Sequence, residues 1–187
     1  MKPGRGKSKG NRFENFIGRQ LSKWLTYGED AKQLIPTRLS GGWAAGEEWR
    51  QAGDLAPNGP EGEKFRRRFI VECKHRKGDL LWELYTMKPA QNIRGWWRKL
   101  EAEAAKLSNT FIPLLICRQN VRPVLAIMPT WLAEALWAYR PTLGRLITYR
   151  DETMGFGIIR LDLLLEYYTP DELFDRLPSV PDMFDVT

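Results

Sequence analysis

Gly53-Asp54-Leu55 is followed, one turn of chain later, by Phe69-Ile70-Val71-Glu72-Cys73-Lys74. The pattern is an acid, an interval, then an acid and an ammonium two residues apart at the end of an apolar run. In an extended strand side chains alternate faces, so Phe69, Val71 and Cys73 point one way and Ile70, Glu72 and Lys74 the other. The first set is apolar and can be buried; the second sets a carboxylate beside an ammonium. If Asp54 ends the neighbouring strand, two carboxylates and a lysine converge, and carboxylates are the hard oxygen donors that Mg²⁺ takes. The chemistry that fits is metal-dependent cutting of a phosphodiester. A plainer reading exists beside it. Asp after Gly is a common turn pair, and Glu-x-Lys on an exposed strand is often a solvated ion pair.

The surrounding elements must hold these residues. Phe13, Phe16, Ile17, Leu21, Trp24 and Leu25 form one helical stripe over residues 11–27, with Gly28 as its stop. Residues 1–10 are a Lys/Gly-rich arm, expected to be disordered and able to lie along a phosphate backbone. Residues 34–39 are short and extended, and 40–50, rich in Gly, Ala and Trp, read as a loop beside the site. Pro57-Asn58-Gly59-Pro60 turns the chain, and the Glu72 strand is expected over about 65–75. Residues 80–85 fit a strand or a turn of helix. A helix is expected over 89–107, with Ile93, Trp96, Trp97, Leu100, Ala104 and Leu107 as its apolar stripe. Strands follow at 111–117 and 124–128, then a helix from Pro129-Thr130-Trp131 to about Tyr139 with Thr130 as N-cap. Residues 145–150 and 156–161 are expected to pair as a hairpin, and Thr169-Pro170-Asp171-Glu172 to open a short helix; the acidic tail is read as a loosely held terminus, with packing on a partner subunit or competition with DNA for the basic face as the other readings.

Composition narrows the partners. The 187 residues suffice for one domain with a sizeable core. A net charge of +6 and a pI near 9.4 suit a polyanion, because cations that neutralise phosphates release condensed counterions. The only two cysteines, Cys73 and Cys117, fall in expected core strands with no C-x-x-C, as buried thiols in a reducing compartment do. His75 is the only histidine, which excludes histidine-pair metal sites; it is expected on the face opposite Lys74. No apolar run has the length of a membrane span, and the basic N-terminus lacks a signal peptide's apolar region, so a cytoplasmic protein is expected. The sequence shows no repeat, P-loop or zinc-ligand set.

Asp54…Glu72-x-Lys74 resembles the signature of the PD-(D/E)XK nuclease superfamily, with Gly53 at the position of the signature proline. Within it, three features look like archaeal and phage Holliday junction resolvases. Gly10-Asn11-Arg12-Phe13-Glu14 lies where such enzymes carry a metal-binding glutamate. Arg38-Leu39-Ser40-Gly41-Gly42 is similar to their loop with a functional serine. Leu114-Leu115-Ile116-Cys117-Arg118 and Val124-Leu125-Ala126-Ile127-Met128 look like their last core strands.

The resemblance covers roughly the first two-thirds of the chain. It implies a restriction-endonuclease-like α/β fold, αβββαβ, with a mixed central sheet flanked by helices. The organisation expected is a basic arm at 1–10, a nuclease core at 11–140 and a C-terminal α/β extension at 141–187.

The resemblance also implies that Asp54, Glu72 and Glu14, with the backbone carbonyl of Cys73, hold Mg²⁺, for which Mn²⁺ substitutes. Lys74 then orients the attacking water and neutralises the phosphate, and hydrolysis leaves a 5′-phosphate. Ser40 either hydrogen-bonds a phosphate or only starts a Gly-rich turn. Arg12, Arg38, Arg66, Arg68, Arg94 and Arg98 are the candidate DNA contacts, Arg66 and Arg68 because they share the parity of Glu72; solvated faces are the plainer reading for such charges. The implied partner is branched DNA cut by a homodimer. Two other functions stay open: a flap, nick or linear-duplex nuclease of phage replication or defence, and a non-catalytic DNA-binding module on the same fold.

Overall fold

The structure, a computed structural model, describes residues 5–37, 52–77, 93–107, 110–139 and 147–177. Helix α1 (Arg5–Leu25) buries Phe13, Ile17, Leu21 and Leu25. It starts inside the segment expected to be a disordered arm, since a helix anchored by that stripe propagates through Lys and Arg, which are good helix formers. It ends where expected: Tyr27 and Gly28 take φ of 54° and 100°, and the Gly28 amide donates to the Lys23 carbonyl at 2.6 Å.

Strands β1 (Leu34–Pro36) and β2 (Leu55–Pro57) form a small antiparallel ribbon. Asp54 therefore stands just before a strand rather than at the end of one. Helix α2 (Pro60–Arg66) follows, where the sequence suggested a turn and then strand. Its signals were present: Pro60 in the first turn, Glu61 and Glu63 near the N-terminus, Lys64 and Arg66 near the C-terminus. The Gln33 side-chain oxygen accepts from the amides of Glu61 and Gly62 at 3.0 and 3.2 Å, a cap supplied from 28 residues away that local pattern cannot show.

Among the described residues, β3 (Phe69–Arg76) is one edge strand of a five-stranded mixed sheet. β4 (Ile112–Gln119) runs parallel to it, reached through helix α3 (Ile93–Leu107). β5 (Val124–Pro129), β7 (Phe156–Arg160) and β6 (Ile147–Asp151) continue the sheet in antiparallel steps, in the order β3-β4-β5-β7-β6. Residues 147–160 thus supply two strands of the main sheet.

Helices cover both faces. On one, Phe69, Val71 and Cys73 pack with α1, with α4 (Thr130–Tyr139), and with α5 (Leu161–Tyr167) and α6 (Pro170–Phe174). On the other, Ile70, Leu115, Cys117 and Ile127 pack with the Ile93, Trp96, Trp97, Leu100 and Ala104 stripe of α3. Both cysteines are buried and free. α6 carries a cap at Thr169: its Oγ1 accepts from the Glu172 amide, and the Glu172 carboxylate accepts from the Thr169 amide. Thr130 does not cap α4. Its hydroxyl is buried without a partner and its amide donates to the Gly155 carbonyl at 2.8 Å, because β5 runs straight into the helix and leaves no extended cap residue. Residues 80–85 and the acidic tail beyond 177 lie outside the described residues.

Candidate active site

β3 offers one edge to β4 and the other to the segment carrying Asp54. The Asp54 amide donates to the Val71 carbonyl at 2.8 Å, and Asp54 Oδ2 accepts from the Cys73 amide at 2.7 Å. Along a strand the peptide groups of residues 71, 73 and 75 share one direction, so the Cys73 carbonyl also faces this edge. Its thiol is packed beneath α1, where burial first and the Asp54, Glu72 and Glu14 carboxylates next push it well above the usual thiol range.

Gly53 makes the approach of Asp54 possible. Its φ is +71°, and a Cβ there would stand 2.4 Å from the Val71 carbonyl oxygen. Proline, fixed near −65°, cannot adopt this backbone. The departure from the signature proline is therefore a requirement of this local geometry.

Glu72 and Lys74 are paired to each other on β3, with side chains 22 % and 31 % exposed. Burial, then the Asp54 charge, pushes the Glu72 carboxyl up to about 7, against the pull of Lys74, with Glu103 adding to the rise. Burial works to lower Lys74, but Glu72 and then Asp54 carry it above its ordinary value, so the ammonium stays charged. Glu14 of α1 reaches the same edge. Its carboxyl is raised by burial and then by Asp54, with Lys74 opposing. Four of the five expected catalytic residues are thus electrostatically joined; Ser40, with Arg38, lies outside the described residues.

Of two further residues at this edge, one escaped the sequence reading and the other was read there as a DNA contact. Glu103 of α3 accepts from the Gly53 amide at 3.3 Å and adds a fourth carboxylate. Only its place beside the apolar stripe of α3 hinted at this. Arg66 is the other. As the last residue of α2 and not a strand residue it does not share the parity of Glu72; it is fully buried and donates to the Ala52 carbonyl at 2.5 Å and to the Phe69 carbonyl. Burial lowers its pKa to about 10, opposed by Glu103. Arg66 braces the Ala52–Gly53 turn that carries Asp54, and a DNA contact is ruled out by its burial.

Arg94 is likewise committed, through Nε to Asp151 Oδ2 at 2.7 Å. Arg68 is half-buried in the turn before β3, while Arg12 and Arg98 are exposed. His75 packs its ring against Phe13 at 5.3 Å and contacts Asn120 Oδ1 at 3.0 Å, on the face away from Lys74.

Among the described residues no three His, Cys, Asp or Glu side chains are gathered into a group that could hold a metal ion. Glu72 is turned to Lys74 and Asp54 to the Cys73 amide. The donor chemistry nevertheless fits a hard divalent cation: carboxylates and a main-chain carbonyl at one edge, with more negative charge than Lys74 balances.

Among described helices, none is long and apolar enough to cross a membrane. A family model described as phage putative PDDEXK endonuclease matches residues 5–175. No curated protein and no solved structure matches significantly.

Proposed function

Because the chain belongs to the phage putative PDDEXK endonuclease family, a nuclease family, we propose that it hydrolyses DNA phosphodiester bonds at the Asp54–Glu72–Lys74 edge of β3 with Mg²⁺. The observation that carries this reading is the bond from the Cys73 amide to Asp54 Oδ2 at 2.7 Å. It sets the Asp54 carboxylate against the strand that carries Glu72 and Lys74.

Asp54, Glu72 and the Cys73 carbonyl would hold the ion, with Glu14 binding directly or through a water; Mn²⁺ meets the same oxygen donors. When bound, the ion polarises the scissile phosphate and lowers the pKa of the attacking water. With Oδ2 held by the Cys73 amide, Asp54 would still offer its second oxygen as a donor. Lys74, paired with Glu72, neutralises the phosphate and orients the water. Glu72 would give up part of its pairing with Lys74 to serve as a ligand. Arg66 and Glu103 keep the Ala52–Gly53 turn in place from two sides.

The substrate we propose is branched DNA, cut in paired strands by a two-fold dimer, as the likeness to junction resolvases implies. Exposed Arg12 and Arg98, and Arg68, are its candidate contacts, and Ser40 a candidate phosphate ligand.

The test is incubation of labelled four-way junction, flap, linear duplex and single-stranded DNA with Mg²⁺ or EDTA, beside Asp54→Asn and Glu72→Ala. Symmetric Mg²⁺-dependent nicks in the junction alone, absent in both variants, are the expected result. Cutting of the other substrates keeps the site and changes the target. Binding without any cutting overturns the reading. Independently, Mg²⁺ raises the melting temperature of the wild type and not that of Glu72→Ala.

A further inference from the structure

α1 has a second side. Arg12, Asn15, Phe16, Arg19, Gln20 and Lys23, all exposed, line a cavity of about 560 Å³ along its outer face. Three cations, two amides and an aromatic ring share this face, and the only acid of α1, Glu14, does not. At 3.6 residues per turn, Arg12, Arg19 and Lys23 lie roughly 140–200° around the helix from Glu14.

Ion pairs among the described residues tie Lys64 to Asp171, Lys74 to Glu72, Arg94 to Asp151, Arg150 to Glu134 and Arg160 to Asp162. Arg12, Arg19 and Lys23 are not among them. Nor is Arg118, at the end of β4, whose guanidinium stands 6.0 Å over the Phe16 ring and whose Nε has no hydrogen-bond partner. Among the described residues, these four cations without an ion-pair partner therefore stand together on one side of α1, in a chain whose net charge is +6. Arg12 to Lys23 spans about 16 Å of helix axis, which matches the rise of roughly five nucleotides along one strand of a duplex.

We propose that this face of α1 holds the phosphate backbone of a DNA duplex arm, as a binding surface separate from the cutting edge that Glu14 faces. The inference rests on the nuclease reading for the identity of the partner, and it deepens that reading. A branched substrate has a second arm to place, and one helix here carries a site acid on one side and a cationic row on the other. Arg12, Arg19 and Lys23 contact phosphates, while Phe16, backed by Arg118, packs against sugar or an exposed base. The contacts are independent of base sequence.

The experiment compares wild type, Arg12→Ala/Arg19→Ala/Lys23→Ala, and a control, Lys32→Ala/Lys106→Ala, which removes two exposed cations elsewhere. Binding to a labelled four-way junction is titrated in EDTA between 50 and 200 mM salt. Three lost phosphate contacts reduce the slope of log K against log salt by about 2–3 and weaken binding roughly tenfold or more at the low-salt end. The control keeps the wild-type slope. An unchanged slope in the triple variant, or an equal drop in the control, overturns the proposal.

Cutting in Mg²⁺ at saturating DNA separates this inference from the one beneath it. Arg19→Ala/Lys23→Ala, which leaves Arg12 in place, keeps the wild-type rate once saturated, and loss of that rate with an intact salt slope also overturns the proposal. A wild type that cuts nothing sinks the nuclease reading at β3, while the salt slope still decides whether α1 binds DNA.

Discussion

Arg94–Asp151 and Glu72–Lys74 are ion pairs of the same chemistry in opposite circumstances. The first joins α3 to β6 at 2.7 Å, with side chains 16 % and 4 % exposed, and the other Asp151 oxygen accepts from the Met154 amide at 3.2 Å. Every charge there has its partner, so the pair pins the β6–β7 hairpin against α3. Glu72 and Lys74 sit two residues apart on one strand, more exposed, and Glu72 also faces Asp54 and Glu103. Lys74 is one cation among Glu14, Asp54 and Glu72. A balanced buried pair holds elements together; a pair embedded in surplus negative charge is poised to take up something positive. Breaking the first should cost fold, and breaking the second should cost function.

The largest effect belongs to the second pair. Glu72→Gln and Asp54→Asn are each expected to lower the cutting rate by about 10³-fold or more, on the scale of removing a charge aimed at the reacting phosphate. Single-turnover assays read this directly. Arg94→Ala leaves the rate per folded molecule unchanged. If Arg94→Ala were as inactive as Glu72→Gln while still folded, the division between the pairs would fail.

Stability reverses the ranking. Removing Arg94 strands the Asp151 carboxylate at 4 % exposure, a loss expected to cost about 3–5 kcal/mol in urea unfolding. A loss below about 1 kcal/mol would place this pair in the class of surface bridges.

A third contrast is in pH. The folded Glu72 value, about 7, stands above its ordinary 4.5. A carboxyl raised by folding binds more protons in the native state, so stability falls as pH rises from about 4.5 to 7. In EDTA the wild type should lose on the order of 1–3 kcal/mol across that window, and Glu72→Gln should lose less. Below pH 4.5 the two curves converge. Parallel curves throughout would mean that folding does not raise the Glu72 carboxyl.

How much of this could be read from sequence follows from the range of each interaction. Alternation along β3 put Cys73 and Glu72 on opposite faces correctly, and the spacing of Ile93, Trp96, Trp97, Leu100 and Ala104 marked the buried face of α3. Both depend on neighbours a few residues away. Arg66 was misplaced because its parity was counted through a segment that is helix, and α2 is stabilised partly by Gln33, far away in sequence. Glu14, Asp54, Glu72 and Lys74 could be named from the family signature, whereas Glu103 has no signature position and comes to Gly53 only through the packing of α3. The place of β7 between β5 and β6 was equally invisible, since a hairpin fixes its own pairing and not which strand it joins next.

Glu103 supplies the smallest and sharpest test. Its carboxylate both accepts from the Gly53 amide at 3.3 Å and adds charge that raises Glu72. Glu103→Gln keeps an acceptor oxygen and removes the charge; Glu103→Ala removes both. Because the side chain is exposed, each effect should stay below about 1 kcal/mol. If charge is what matters, the two variants behave alike: the EDTA stability curve moves its midpoint to lower pH, and the cutting rate changes by only a few-fold. If the bond to Gly53 is what matters, Glu103→Gln resembles wild type and Glu103→Ala alone slows cutting, because the turn that presents Asp54 is loosened. The first result makes Glu103 part of the surplus charge that distinguishes this edge from Arg94–Asp151. The second makes it a brace, working with Arg66 from the other side of the same turn.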